Sequence, residues 1–251
     1  MALVTGAGGR LGSAIAGALA LRGMRLALAD VSAPALERLV YELRSELGLG
    51  EGRILGIEAD VASDADVARL VRETLDVFGR LDAVVNNAGV EGPISPAEDL
   101  DLEDVLAVYQ VNVFGTLRVM KAVLPTFKGQ RSGRIVNVAS GAGTAGTAFM
   151  AAYSSSKHAV IGLTRSIARE VADHNVLVNA VCPGSVESPM MDRIEAELGR
   201  LAGEPVSFEA AVPMGRYARV AEVAELVAYL AVDAPAYITG AALVMDGGMR
   251  A

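Results

Sequence analysis

The chain has 251 residues, 52% of them apolar and 21% charged, without a linker, repeat or low-complexity tract, so it can bury a large core as a single domain. Its net charge of −8, with no basic cluster, argues against nucleic acid as a partner. No apolar run approaches the ~18 residues of a membrane span, so no membrane partner and a cytoplasmic location are expected; one cysteine and two histidines exclude an intrachain disulfide and a Cys-based zinc site, and no metal is expected.

The apolar residues are mainly Ala, Val and Leu, with aromatics at 4%, which suits helices packed closely on a parallel sheet. A short strand is predicted over Ala2–Val4, followed by TGAGGRLG at Thr5–Gly12 and a helix with Leu11, Ile15, Ala18 and Leu19 in phase, ending near Gly23. A strand, a glycine-rich turn and a helix form the context of a dinucleotide site. Gly6 permits the tight turn, Gly8 and Gly9 let the backbone approach a pyrophosphate, and Gly12 allows close helix packing. The second strand, Arg25–Ala29, ends at Asp30, where an acid accepts hydrogen bonds from ribose hydroxyls and repels a 2′-phosphate. That favours NAD. Arg10 is the dissenting residue, because a guanidinium in the turn can reach a 2′-phosphate, so NADP stays open.

A helix over Ala33–Leu47, the GLGEG loop and a strand over Arg53–Glu58 lead to Asp60 and Val61. Asp60 is either a turn residue at the start of a helix or a contact to an adenine amino group. Ser63 reads as an N-cap for a helix carrying Val67, Leu70, Val71, Leu75 and Phe78 on one face, with Gly79 as its stop. Alternating strands and helices of this kind imply right-handed crossovers and a parallel sheet. The fourth strand, Leu81–Val85, runs into NNAG at Asn86–Gly89. A long helix, about Leu102–Leu124, carries Asn112 among apolar neighbours, where it serves either function or a structural polar network.

The fifth strand, Gly133–Val138, ends at Ser140, and the stretch from there to Lys157 contains YSSSK. On a helix over Tyr153–Ala172, Tyr153 and Lys157 stand at i and i+4 on one face. A cation beside a phenol favours the phenolate, so proton exchange closer to neutral pH is expected. Strand Val176–Val181 contains Cys182's approach, and Cys182 reads as a small buried hydrophobe. After Pro183 and Gly184, residues Ser185–Met214 read as a helical flap over a small-molecule site. A helix over Arg219–Ala231, a last strand near Ala242–Met245 and a DGG turn complete the chain.

Taken together, TGAGGRLG, NNAG, Asn112, Ser140, YSSSK, PGSVES and ITGAALVMDGG resemble, in order and spacing, the classical short-chain dehydrogenase/reductase family over essentially the whole chain. The resemblance implies a doubly wound α/β Rossmann fold with seven parallel strands and helices on both faces. It implies NAD or NADP as cofactor and reversible hydride transfer between a secondary alcohol and a ketone. In that family's terms Tyr153 is the acid/base, Lys157 lowers its pKa and holds the nicotinamide ribose, Ser140 binds the substrate oxygen, and Asn112 supports a water-mediated proton relay. Gly6, Gly8, Gly9, Arg10, Leu11 and Gly12 cradle the pyrophosphate, Asp30 takes the ribose, and Asp60 and Val61 take the adenine. Asn87, Ala88 and Gly89 line the adenosine side; Pro183 and Gly184, with Val186 and Ser188 at the carboxamide, line the nicotinamide side. The turn departs from the family's usual TGxxxGxG at Arg10 and fits TGxxGxxG, the extended subfamily's form, although the chain's length and DGG turn keep it with the classical form.

Two other readings are weighed: a cofactor-binding sensor or scaffold without turnover, and an epimerase or dehydratase. The expected pocket residues, Glu91, Gly92, Pro93, Gly141, Ala142, Thr147, Phe149, Met150, Met190 and Met191, suggest an uncharged, apolar ketone or alcohol, a 3-oxoacyl group among them. The resemblance also implies a homotetramer.

Overall fold

The computed structural model describes residues 1–50 and 52–250; Glu51 of the GLGEG loop and Ala251 lie outside the described residues. Seven strands, β1 (Ala2–Thr5), β2 (Leu26–Asp30), β3 (Ile54–Glu58), β4 (Ala83–Asn86), β5 (Gly133–Val138), β6 (Val176–Pro183) and β7 (Ala242–Met245), form one sheet. Its order is β3-β2-β1-β4-β5-β6-β7, and every pair is parallel. The chain leaves β3 at one edge and re-enters beside β1 as β4, which makes the β1/β4 boundary a topological switch point.

Residues alternate between the two faces of each strand, and both faces are covered, so the strands read as unbroken apolar runs. Ala2, Val4, Leu26, Leu28, Ala83 and Val85 pack on one side with α1 (Arg10–Leu21), α2 (Ala33–Leu47) and α8 (Val220–Ala228). Leu3, Ala27, Val84 and Ile135 pack on the other with α3 (Asp64–Phe78), α5 (Thr116–Gln130) and α6 (Ala151–Val171). The parallel pairing is the one the alternating pattern predicted, and the doubly wound α/β arrangement is the one the family resemblance implied. Local chemistry sets the ends. Ser63 Oγ accepts from Asp66 N at 3.2 Å, and Gly79 stops the same helix at φ 72°.

Several boundaries shift by one or two residues from the sequence expectations, β4 and α6 among them, and three differences have a structural consequence. The helix expected over Leu102–Leu124 is α4 (Leu102–Tyr109), a π-helical turn (Gln110–Gly115) and α5, which continues through Pro125 to Gln130. Proline sacrifices one backbone bond there, but Phe127 beyond it is completely buried, and that packing carries the helix on. Strand β6 extends to Pro183, whose partner is Met245. The helix expected to end at Ala231 leaves α-geometry after Ala228, where a π-helical turn over Tyr229–Asp233 takes over. Residues 185–214 contain α7 (Pro189–Ala202), capped by Ser188 with Pro189 in its first turn. No helix among the described residues is long and apolar enough to cross a membrane.

Candidate active site

A cleft of about 690 Å³ opens at the carboxyl ends of β1 to β6. Every catalytic and cofactor-binding residue expected from the sequence lines it except Asn112. The glycine turn forms its floor. Gly6 is at φ 61°, and a Cβ at Gly12 would stand 2.1 Å from the Gly6 carbonyl oxygen, so neither position tolerates a side chain. The turn is stitched to β4: Asn87 Nδ2 donates to the carbonyls of Thr5 at 3.1 Å and Gly6 at 2.9 Å. Helix α1 begins after Gly9 without a side-chain cap, which leaves first-turn N–H groups for an anion.

Asp30 stands at the end of β2 and accepts Gly8 N at 2.8 Å on one carboxylate oxygen and Ser32 N at 2.9 Å on the other. Each oxygen keeps a lone pair for a ribose hydroxyl. Asp60 accepts Ala62 N at 2.8 Å, the turn role at the start of α3, while still lining the cleft. Arg10 is exposed. The residues therefore fit a dinucleotide: a turn with no room for a side chain at Gly6 and Gly12, an uncapped helix start and a carboxylate at the end of the neighbouring strand.

Lys157 is 4% exposed and donates from Nζ to the Val138 carbonyl at 3.0 Å. Burial pushes its pKa down to about 8. Its ammonium stands 5.6 Å from the centre of the Tyr153 ring. The expectation that this cation lowers the phenol's pKa is corrected here. Burial pushes Tyr153 up, the Ser140 hydroxyl pulls it back, and the Glu91 carboxylate pushes it up further. Desolvation dominates because α7 and its neighbours cover the phenol: Tyr153 packs with Ile94, Met150, Ile194 and Leu198.

Asn112 lies behind the cleft and is 1% exposed. Its Oδ1 accepts Val90 N at 2.8 Å, and its Nδ2 donates to the Val90 carbonyl at 2.9 Å and to Ser156 Oγ at 3.0 Å. Both amide donors are thus committed. The π-helical turn places its own carbonyl under Thr116 Oγ1 at 2.8 Å. Ser156, which the sequence left unremarked within YSSSK, donates to the Tyr153 carbonyl at 2.7 Å, so it links Asn112 to the helix turn that carries the phenol. A second buried relay, Asn86 to Asn137 at 2.8 Å and Asn137 to Thr164 at 2.8 Å, braces β4, β5 and α6. A polar residue inside the apolar run of β5 was its signal.

On the substrate side, Gly141, Ala142, Thr147, Met150, Met190 and Met191 line the cleft, whereas Glu91, Gly92, Pro93 and Phe149 do not. Phe149 is 45% exposed. Two guanidinium groups not expected there, Arg193 and Arg250, line it too. Arg193 on α7 pairs with Glu91 at 2.5 Å, tying that helix to the loop after β4. Ser188 Oγ accepts Met191 N at 3.2 Å and donates to the Val186 carbonyl at 3.1 Å, so its hydroxyl holds the start of α7. Cys182 is fully buried, and burial pushes its thiol up.

The family described as enoyl-(acyl carrier protein) reductase matches residues 6–250. A diacetyl reductase [(S)-acetoin forming] of Staphylococcus epidermidis is 35% identical over 99% of this chain and 97% of its own length. The crystal structure of NAD+-bound xylitol dehydrogenase is similar with a TM-score of 0.91 and 36% identity, covering 98% of this chain and 97% of that one. An actinorhodin polyketide ketoreductase variant with NADPH gives a TM-score of 0.92 and 38% identity, covering 99% and 96%.

Proposed function

The chain belongs to the classical short-chain dehydrogenase/reductase family and interconverts a secondary alcohol and a ketone with a nicotinamide cofactor, and we propose that NAD is that cofactor and Tyr153 the acid/base. The observation that carries this reading is the convergence of Ser140, Tyr153 and Lys157 on the same cleft as the glycine turn and Asp30. When bound, the cofactor supplies the hydride acceptor or donor.

The chain's own residues supply the rest. Gly6 and the turn Gly8, Gly9, Arg10, Leu11 and Gly12 would hold the pyrophosphate, and Asp30 the adenosine ribose, with Asp60, Val61 and Asn87 to Gly89 around the adenosine. Pro183, Gly184, Val186 and Ser188 would flank the nicotinamide, and Lys157 its ribose. In oxidation Tyr153 accepts the alcohol's proton; in reduction its hydroxyl donates one to the carbonyl oxygen. Ser140 donates a hydrogen bond to that oxygen and stabilises the charge that develops on it. Asn112 positions this machinery through Val90 and Ser156, which keeps the loop after β4 and the Tyr153 turn in register.

NAD is favoured because the Asp30 carboxylate would face a 2′-phosphate, and like charges at that range repel strongly. The chain acts as one domain in which residues 185–214 serve as the substrate flap. Leu102, Leu106 and Phe114 on one helical stretch, and Val244 at the sheet edge, are large apolar groups exposed in the single chain, and they support a homotetramer. Nicotinamide cofactors are intracellular, so a cytoplasmic location goes with the same reading. The test is a ketone panel, headed by a vicinal diketone, assayed with NADH and NADPH. Reduction with NADH at least about tenfold more efficient than with NADPH is expected. No reduction of any ketone, or a preference for NADPH, would refute the assignment.

A further inference from the structure

The charged groups lining the cleft are Arg10, Asp30, Asp60, Lys157, Arg193 and Arg250. Most have work that is already visible. Asp30 holds Gly8 and Ser32, Asp60 holds Ala62, Lys157 donates to Val138, and Arg193 pairs with Glu91. Arg10 belongs to the glycine turn. Arg250 remains. Its guanidinium donates no hydrogen bond among the described residues, and its one ionic neighbour, Asp246 Oδ2, is 3.9 Å away, beyond hydrogen-bond reach.

Arg250 is also drawn well out of solvent, with its side chain 23% exposed. It lies against the residue that follows Ser140: a Cβ on Gly141 would stand 2.2 Å from Arg250 Nη1 and 3.2 Å from Cζ. The guanidinium therefore occupies space that a glycine leaves free, one residue along the chain from Ser140. Among the described residues, the acids lining the cleft, Asp30 and Asp60, both belong to its cofactor half. A largely desolvated guanidinium with five N–H donors and no hydrogen-bond acceptor among the described residues favours a forked oxygen ligand, and a carboxylate matches its geometry.

From this placement we propose that Arg250 is a specificity residue that binds a carboxylate on the substrate, so that the substrate class is an oxo acid or hydroxy acid with an apolar middle. The ketone half of this ligand rests on the oxidoreductase reading above; the anion site does not. The apolar groups Met150, Met190, Met191 and Ile194, which also line the cleft, suit the carbon chain between the two polar ends.

The test compares acetoacetate, 4-oxopentanoate and 5-oxohexanoate, each against its methyl ester, as substrates for the wild type, Arg250→Met and Arg250→Lys. The best acid is expected to exceed its ester in kcat/KM. Arg250→Met should lower the acid's value by about ten- to a hundredfold and the ester's by less than about twofold, with Arg250→Lys between. Acids and esters used equally well by the wild type would overturn the proposal. So would an Arg250→Met loss shared equally by both, which is what a mere brace on Asp246 would give. Calorimetric titration of the cofactor-free protein with 5-oxohexanoate separates the two readings. Binding that weakens at least about tenfold in Arg250→Met, with no ketone reduced, keeps the anion site and sinks the oxidoreductase reading. Reduction of neutral ketones without Arg250-dependent binding sinks the anion site alone.

Discussion

Lys157 sits furthest from the surroundings its charge prefers. It is 4% exposed, its ammonium has one carbonyl as hydrogen-bond partner at 3.0 Å, and burial holds its pKa at about 8 against an ordinary 10.5. Below about pH 8 the amine is charged in both folded and unfolded chains, and the folded state bears the full desolvation cost. Between about 8 and 10.5 the unfolded chain binds more protons, so this residue's contribution to stability rises with pH. Lys157→Met should therefore stabilise the cofactor-free protein at pH 7 by up to about 3 kcal/mol, and the gap should narrow by pH 10. Urea unfolding of both proteins at the two pH values measures it; a gap independent of pH would contradict the assignment. In the mechanism proposed above, the chain keeps this destabilising group because Lys157 would hold the nicotinamide ribose. That Ser140, Tyr153 and Lys157 share one cleft was foreseen from the motifs taken together, since the i, i+4 pair alone is a weak signal. The sign of the phenol's shift was not, because it depends on the residues of α7 that cover it. Asn112 was readable as a buried amide with two possible purposes; only coordinates reveal that both its donors are committed to Val90 and Ser156.

Among the elements, the strands and their ends followed from short-range chemistry. Ser63 and Gly79 bracket α3 where expected, and Asp30 ends β2. The stretch from Leu102 to Gln130 was harder. A π-helical turn at Gln110–Gly115 has no residue-type signature of its own, so the sequence does not expose it, and the burial of Phe127 carries the helix past the expected end at Leu124. The turn matters because it carries Asn112. The same stretch turns Leu102 (75% exposed) and Leu106 (57%) outward, while β7 leaves one edge of the sheet unpaired. Such a surface calls for a partner. Size-exclusion chromatography with light scattering should report a homotetramer for the wild type and a smaller species for Leu106→Glu. A monomeric wild type would refute the assembly.

At the scale of the whole molecule, the parallel order with its reversal beside β1 brings the ends of β1 to β6 to one cleft; the sequence's alternating pattern foresaw the parallel sheet, and the doubly wound order came with the family resemblance. Which chemistry occupies the far end of the cleft was not foreseeable. Arg250 reaches Gly141 only because β6 and β7 place the chain's end beside the end of β5, so a reading by neighbouring residues counted an apolar wall and missed a cation. The central claim is that this cleft moves a hydride with Tyr153 as the proton donor or acceptor. It is tested most directly by single-turnover oxidation of bound NADH by a ketone from the panel, in the wild type and in Tyr153→Phe, with NADH affinity measured alongside. The account predicts that the variant slows the chemical step by about 10²- to 10⁴-fold while NADH affinity stays within about threefold. A variant that turns over at close to the wild-type rate would contradict it.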